Sequence, residues 1–178
     1  MLNSLDEIKG MNMEQGSAVK DLRARTCCFT GHREIPFLRR YHIAKVLKQE
    51  LEKLIEQGVI YFGAGGALGF DTMAAQTVLS LKLKHPEIKL ILVLPCQSQA
   101  DRWSEEDRAV YEEIKRKADK VKYTSIEYTS GCMHKRNRHL VDNSSVCVSY
   151  MTKSTGGTAY TVDYARKSHV RVINLAEL

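Results

Sequence analysis

Short apolar runs alternate with helical patterns along most of this chain. The first run, Thr26-Cys27-Cys28-Phe29-Thr30, breaks at Gly31-His32-Arg33. Over residues 38–57, Ile43, Val46, Leu47, Leu51, Leu54 and Ile55 recur at helical spacing, and Gly58 supplies a stop. Val59–Phe62 is a second run, opening into Gly63-Ala64-Gly65-Gly66-Ala67-Leu68-Gly69-Phe70-Asp71. After Asp71, the positions Met73, Ala74, Ala75, Val78, Leu79 and Leu81 predict a helix that ends before Pro86. Ile88–Leu94 is continuously apolar, as a strand covered on both faces should be, and Pro95 ends it. A polar loop then runs to Trp103. Ser104 with Glu105, Glu106 and Asp107 reads as an N-cap and acidic first turn of a helix reaching Asp119. Val121–Tyr123, Ser145–Tyr150 and Val170–Asn174 read as strands, and Cys132–Asn143 and Thr158–Lys167 as helices.

Strict strand–helix alternation requires crossover helices, so the expected class is α/β: a Rossmann-like, doubly wound, mostly parallel sheet flanked by helices. With 178 residues and no internal repeat or Pro-rich linker, the pattern predicts one domain over 26–178 and, over 1–25, a mobile polar tail or a loosely held helix outside the core. The longest apolar run is far too short to span a bilayer, and the amino-terminal residues hold no apolar signal segment; a cytoplasmic protein with no membrane partner is expected. Five cysteines without a CxxC pair predict neither a disulfide framework nor a metal site. The formal charge of +6 is modest for a nucleic-acid binder, and the basic cluster at Lys115, Arg116, Lys117, Lys120 and Lys122 reads as a solvated face.

The chemistry concentrates where strands end. Glycine permits close backbone approach to a ligand, and a following helix points unpaired N–H groups at an anion. Three such junctions predict a phosphate-bearing ligand in a crevice lined by Gly31, Gly66, Gly69 and Gly156. The Gly63–Gly69 loop follows the second strand rather than the first, so it is no dinucleotide fingerprint, and the G-K-[ST] of a P-loop is missing. No bound cofactor is implied. Ser154-Thr155-Gly156-Gly157-Thr158 carries the strongest single signal, a phosphate cradle of backbone donors and hydroxyls. Arg33, at a strand's carboxyl end, is placed to pair with phosphate. His32 either joins it or makes a structural hydrogen bond. Gly65, Gly66 and Gly69 admit the ligand or permit tight packing, and Asp71 caps its helix or meets a ribose hydroxyl. Trp103 either stacks on a base or closes the edge of the core.

These segments jointly resemble the YpsA-like family of the SLOG superfamily, which also holds the DNA-processing protein DprA and the lysine-decarboxylase-like LOG proteins. The resemblance rests on Thr30-Gly31-His32-Arg33, Gly66–Asp71, Pro95 with Trp103, Arg136-Asn137 and Thr155–Thr158, and covers residues 26–175. It implies a SLOG-type Rossmann-like domain that binds a nucleotide or nucleotide-derived ligand, and it adds Arg136 and Asn137 to the site. Asp142 is the expected partner holding Arg136, while Lys135 and Arg138 are expected in solvent. Three functions follow: a nucleotide-ligand sensor or regulatory module without turnover, a LOG-like nucleotide N-glycosidase, or a DprA-like single-stranded DNA binder. LOG proteins place a glutamate two to three residues past their glycine–threonine loop. Here those positions hold Tyr160 and Thr161, and the first acid is Asp163, which leaves Asp71 as the acid that would have to substitute. The binding module is therefore the favoured expectation, with a nucleotide-like small molecule as partner and nucleic acid or a homo-oligomer as alternatives; no catalytic residue is assigned.

Overall fold

A computed structural model describes residues 22–178, so the mobile tail expected over 1–25 falls largely outside the described residues. Its last residues, 22–24, form a helical turn tied to the domain: Thr26 Oγ1 donates to the Leu22 carbonyl at 2.6 Å and Ser145 Oγ to the Ala24 carbonyl at 2.9 Å. The elements then follow in the expected order. They are β1 (Thr26–Gly31), α1 (Phe37–Glu56), β2 (Tyr61–Ala64), α2 (Phe70–Leu81), β3 (Lys89–Leu94) and α3 (Glu105–Lys117), then β4 (Lys120–Tyr123), α4 (Cys132–Asp142), β5 (Val146–Tyr150), α5 (Gly157–Lys167) and β6 (Arg171–Asn174). Short 3-10 turns at Gln97–Ala100 and Leu175–Glu177 lie where the sequence pattern predicts no regular element.

All six strands are parallel, in the order β4-β3-β2-β1-β5-β6. From β1 the chain steps outward one strand at a time to β4, then crosses back to lay β5 on the other side of β1. Parallel crossovers share one hand, so reversing their direction moves the helices to the opposite face. The packing follows. Cys27 and Phe29 of β1, with Val146, Val148 and Tyr150 of β5, face a core built with α1, α2 and α3. Cys28 and Cys147 face the other way, onto Leu140 and Val141 of α4 and Ala165 of α5. The period of two along each strand explains why these runs are apolar throughout. Burial pushes the Cys27 thiol far above its ordinary pKa, and all five cysteines are free and buried, acting as small apolar side chains.

Local signals set the helix positions. Ser104 Oγ accepts the Asp107 N–H at 3.1 Å and caps α3 as predicted. At Gly63 in β2, a Cβ would lie 2.9 Å from Leu140 Cδ2, so the missing side chain lets α4 seat closely on the sheet. That seating fixes the height of the α4 residues one turn earlier, among them Arg136.

Candidate functional site

Strand order reverses between β1 and β5, and in open α/β sheets the crevice at such a reversal, beyond the carboxyl ends of the strands, is where ligands bind. A cavity of about 320 Å³ lies there. Four segments converge on it: Gly31 at the end of β1 with His32 and Arg33 after it, Ala67 in the loop before α2 with Asp71 in its first turn, Arg136 and Asn137 on α4, and Gly157 and Thr158 at the start of α5.

Arg136 is its organising group. The residue is only 5% exposed, and its Nη1 stands 3.6 Å from Asp71 Oδ2, close enough for an ion pair but too long for a hydrogen bond. Among the described residues its Nε and Nη1 have no hydrogen-bond partner. Asp71, equally buried, accepts the Ala67 N–H at 3.3 Å. Burial pushes the Asp71 carboxyl above its ordinary pKa, against the downward pull of Arg136 and of the Ala67 and Gly65 N–H groups. Burial also lowers the Arg136 guanidinium, and Asp71 opposes that shift. The partner of Arg136 is thus Asp71. Asp142, expected in that role, sits further along α4 and accepts the Tyr164 hydroxyl at 2.8 Å on the surface. Gly65 is glycine for steric reasons: a Cβ there would land on the Arg136 guanidinium and lie 2.7 Å from Asp71 Oδ2.

The flanking loops hold one another. Phe70 N donates to the His32 carbonyl at 3.1 Å, and a side chain on Gly69 (φ +77°) would strike the Arg33 backbone. His32 Nε2 accepts the Thr152 N–H at 2.9 Å, and its ring packs edge-on to Tyr150. That bond ties the turn after β1 to the turn after β5 and needs an unprotonated Nε2. Burial, reinforced by Lys153, holds the His32 pKa below its ordinary 6.5. Because the folded protein binds this proton less readily than the unfolded chain, the contribution is full above 6.5 and fades as pH falls through the lowered value. Urea unfolding from neutral to mildly acid pH should show a loss that His32→Asn removes.

At α5, Asn137 Nδ2 donates to Thr161 Oγ1 at 2.8 Å, and Thr161 Oγ1 donates to the Gly157 carbonyl at 2.8 Å. This relay locks α4 to the first turn of α5 through Thr161, one of the two positions, with Tyr160, at which the resemblance to LOG proteins leads one to expect a glutamate. The cap of α5 is Gly156 (φ +91°), so no side chain caps the helix and no acidic residue occupies its first turn. A Cβ on Gly156 or Gly157 would meet no atom within 4 Å, so nothing in the fold itself excludes a side chain at Gly157.

Not every expected residue joins the cavity. Thr155 and Gly156 are exposed and precede it, although Gly157 and Thr158 line it. Gly69 lines an adjoining groove between α1 and α2, and Gly66 faces away toward Leu94 and Tyr111, its carbonyl held by Gln99 Nε2 at 2.6 Å. The four glycines expected to share one crevice are therefore divided. Trp103 packs edge-on to Tyr111, 5.3 Å between ring centroids, against the core edge and outside the cavity. Asp163 pairs with Lys167 at 2.7 Å on the surface. Sequence reasoning missed Gln99 and Tyr111, which back the glycine loop from the far side. Their only cue is the helical spacing that buries Tyr111. Chemically, two guanidinium groups and an uncapped helix end outweigh one carboxylate. The cavity suits an anion.

The model of the YspA SLOG family matches residues 28–175. UPF0398 protein BH1768 of Halalkalibacterium halodurans is 32% identical over 140 residues, 77% of this chain and 71% of that protein. The SPbeta prophage-derived protein YoqJ of Bacillus subtilis is 33% identical over 133 residues, 67% and 78% respectively. Among solved structures, DNA processing protein A from Helicobacter pylori, described for its single-stranded DNA binding mode, superposes with a TM-score of 0.59 at 18% identity. That superposition covers 88% of this chain and 66% of the other, and it shows a shared fold.

Proposed function

This chain belongs to the YspA SLOG family, and from that premise we propose that it binds a nucleotide or nucleotide-derived phosphorylated small molecule, without turnover, as a cytoplasmic sensor or regulatory module. One observation carries the reading. Arg136 is buried with two N–H groups unpaired, and it lines the same cavity as the uncapped start of α5. Leaving buried charged donors unsatisfied is costly, and an anionic oxygen between Arg136 and the α5 N–H groups would satisfy both. Arg33, exposed at the rim, lines this cavity and two larger neighbouring clefts, so it can meet the rest of an extended ligand.

Binding is favoured over glycoside cleavage by the carboxylates. An oxocarbenium-like transition state needs a free carboxylate beside the anomeric carbon. Among the described residues Asp71 is the one acid lining the cavity, and its Oδ2 faces the Arg136 guanidinium as counter-charge and accepts the Ala67 N–H, a structural use of this carboxylate; Asp163 lies outside.

The test is calorimetric titration and thermal shift with AMP, ADP, ATP, ADP-ribose, inorganic phosphate and a single-stranded oligonucleotide. A nucleotide should stabilise the protein. Arg33→Ala should weaken that binding by about one to two decades, the worth of a charge-assisted hydrogen bond. Gly157→Val should abolish it with the fold intact, since a Cβ at this cavity-lining position meets no protein atom within 4 Å and the branched side chain would extend into the space a ligand would fill. Parent-like affinity in both folded variants, or stabilisation by the oligonucleotide alone, would overturn the reading.

A further inference from the structure

The first turn of α1 carries an unusual surface. Phe37, Leu38 and Tyr41 are 82%, 92% and 81% exposed, although all three are large and apolar or aromatic. They contribute nothing to the core, which α1 reaches through Ile43, Leu47, Leu51 and Leu54. On the outward face, Leu38, Tyr41, Lys45 and Lys48 follow one another at spacings of three and four residues, a single helical stripe that is apolar at its start and cationic beyond. Arg39 and Arg40 stand beside it, and α1 holds no acidic residue before Glu50.

Both flanks of this turn are also basic. Arg39 shares a cleft with Arg33 and Lys153, and Arg40 and Lys48 share the groove between α1 and α2. Glu34 and Glu177 line the first and Asp107 the second, fewer acids than bases. An apolar wedge ringed by cations has anionic, partly apolar chemistry as its complement.

We propose that the amino-terminal end of α1 docks on an anionic lipid bilayer, with Phe37, Leu38 and Tyr41 entering the headgroup layer and the arginines and lysines beside them lying on lipid phosphates. Other occupants fit less well. A second copy related by a two-fold axis through this patch would gather the Arg39, Arg40, Lys45 and Lys48 charges of both copies into one interface with no acid of α1 before Glu50 to offset them. A nucleic-acid strand could stack on Phe37 and Tyr41 but offers Leu38, the most exposed of the three, no matching face. A bilayer takes all three side chains and supplies the negative charge. Among the described residues no helix is long and apolar enough to cross a membrane, so this is attachment to a surface. It departs from the expectation of no membrane partner, which rested on the shortness of the apolar runs.

The full chain should be sedimented with vesicles of phosphatidylcholine alone and of phosphatidylcholine mixed with phosphatidylglycerol. Partitioning onto the mixed vesicles alone, weakened by salt, is expected. The triple variant Phe37→Ser, Leu38→Ser, Tyr41→Ser should lose it with unchanged circular dichroism, because these positions are exposed. Arg39→Gln with Arg40→Gln should weaken it about tenfold or more. Arg136→Lys, which keeps the buried positive charge and leaves the exposed surface of α1 unaltered, should partition like the parent once circular dichroism shows it folded, so failure of the nucleotide reading and of this one remain distinguishable. No partitioning, equal partitioning onto neutral vesicles, or parent-like partitioning of the triple variant would overturn the proposal. So would a self-associated parent that the triple variant turns into a monomer, or an oligonucleotide that displaces the vesicles.

Discussion

Arg136→Met is expected to cost about 3–5 kcal/mol of folding stability at neutral pH, because it strands the Asp71 carboxylate in the interior without its counter-charge. A loss of this size is a large fraction of a domain's stability, so urea unfolding would report it readily. The pH dependence separates this cause from simple loss of packing. Burial already raises the Asp71 pKa, and removing Arg136 takes away the largest opposing pull, so the folded-state value rises further. A carboxyl whose folded pKa exceeds its unfolded one favours folding below the unfolded value and loses that contribution as pH rises through the folded value. The deficit of Arg136→Met should therefore shrink on moving from neutral to mildly acid pH. Adding Asp71→Asn should recover much of the loss at neutral pH and flatten the pH dependence. A deficit indifferent to both pH and Asp71→Asn would show that the pair is not what holds this region.

Gly65→Ala is the second large effect, produced by a single methyl group. The added carbon would occupy the place of the Arg136 guanidinium and crowd Asp71. Gly65 is absent from the positions with positive φ, so the penalty is overpacking, about 1–3 kcal/mol. Binding should suffer more than stability. Arg136 must swing away from the cavity, removing the buried donors that the proposed anion requires, and calorimetry should detect no nucleotide binding in a protein that still unfolds cooperatively. Gly58→Ala is a useful contrast. Gly58 has positive φ but open space around it, so its cost should appear in stability alone.

The fold was legible because each strand's burial is written in its own residues. Cys27–Phe29 and Val146–Val148 are apolar at successive positions, which only a strand covered on both faces requires. The alternation of elements then dictated a parallel sheet, and all six strands and the five helices after β1 stand within a residue or two of their expected bounds. The candidate site was legible by segment but not by contact. Loops at strand ends must gather at one edge of a parallel sheet, so Arg33, Asp71, Arg136 and Gly157 were within reach of motif reasoning. Which side chains meet depends on loop paths that periodicity does not encode. Asp142 lies closer to Arg136 in sequence, yet Asp71, far away in the chain, is the residue paired with it. Gly65 and Gly66 look alike in sequence, but one faces Arg136 and the other Tyr111. Thr161 gave no signal because its role, joining Asn137 to Gly157, needs only a hydroxyl at the right height.

The strand order has a consequence for how these molecules behave in a crowd. A six-stranded open sheet ends in two strands, β4 and β6, each with a row of backbone groups that could recruit a foreign strand. Both are only four residues long and each begins with an exposed cation, Lys120 or Arg171; Lys122 adds another on β4. Short, positively charged borders repel their own kind and give an incoming strand little length to zip along. The rungs that are long and uncharged, β1 and β5, are the ones shielded in the middle of the ladder. Aggregation by strand addition is thereby discouraged by the border strands' own length and charge, and the bases that spread over these edges serve solubility.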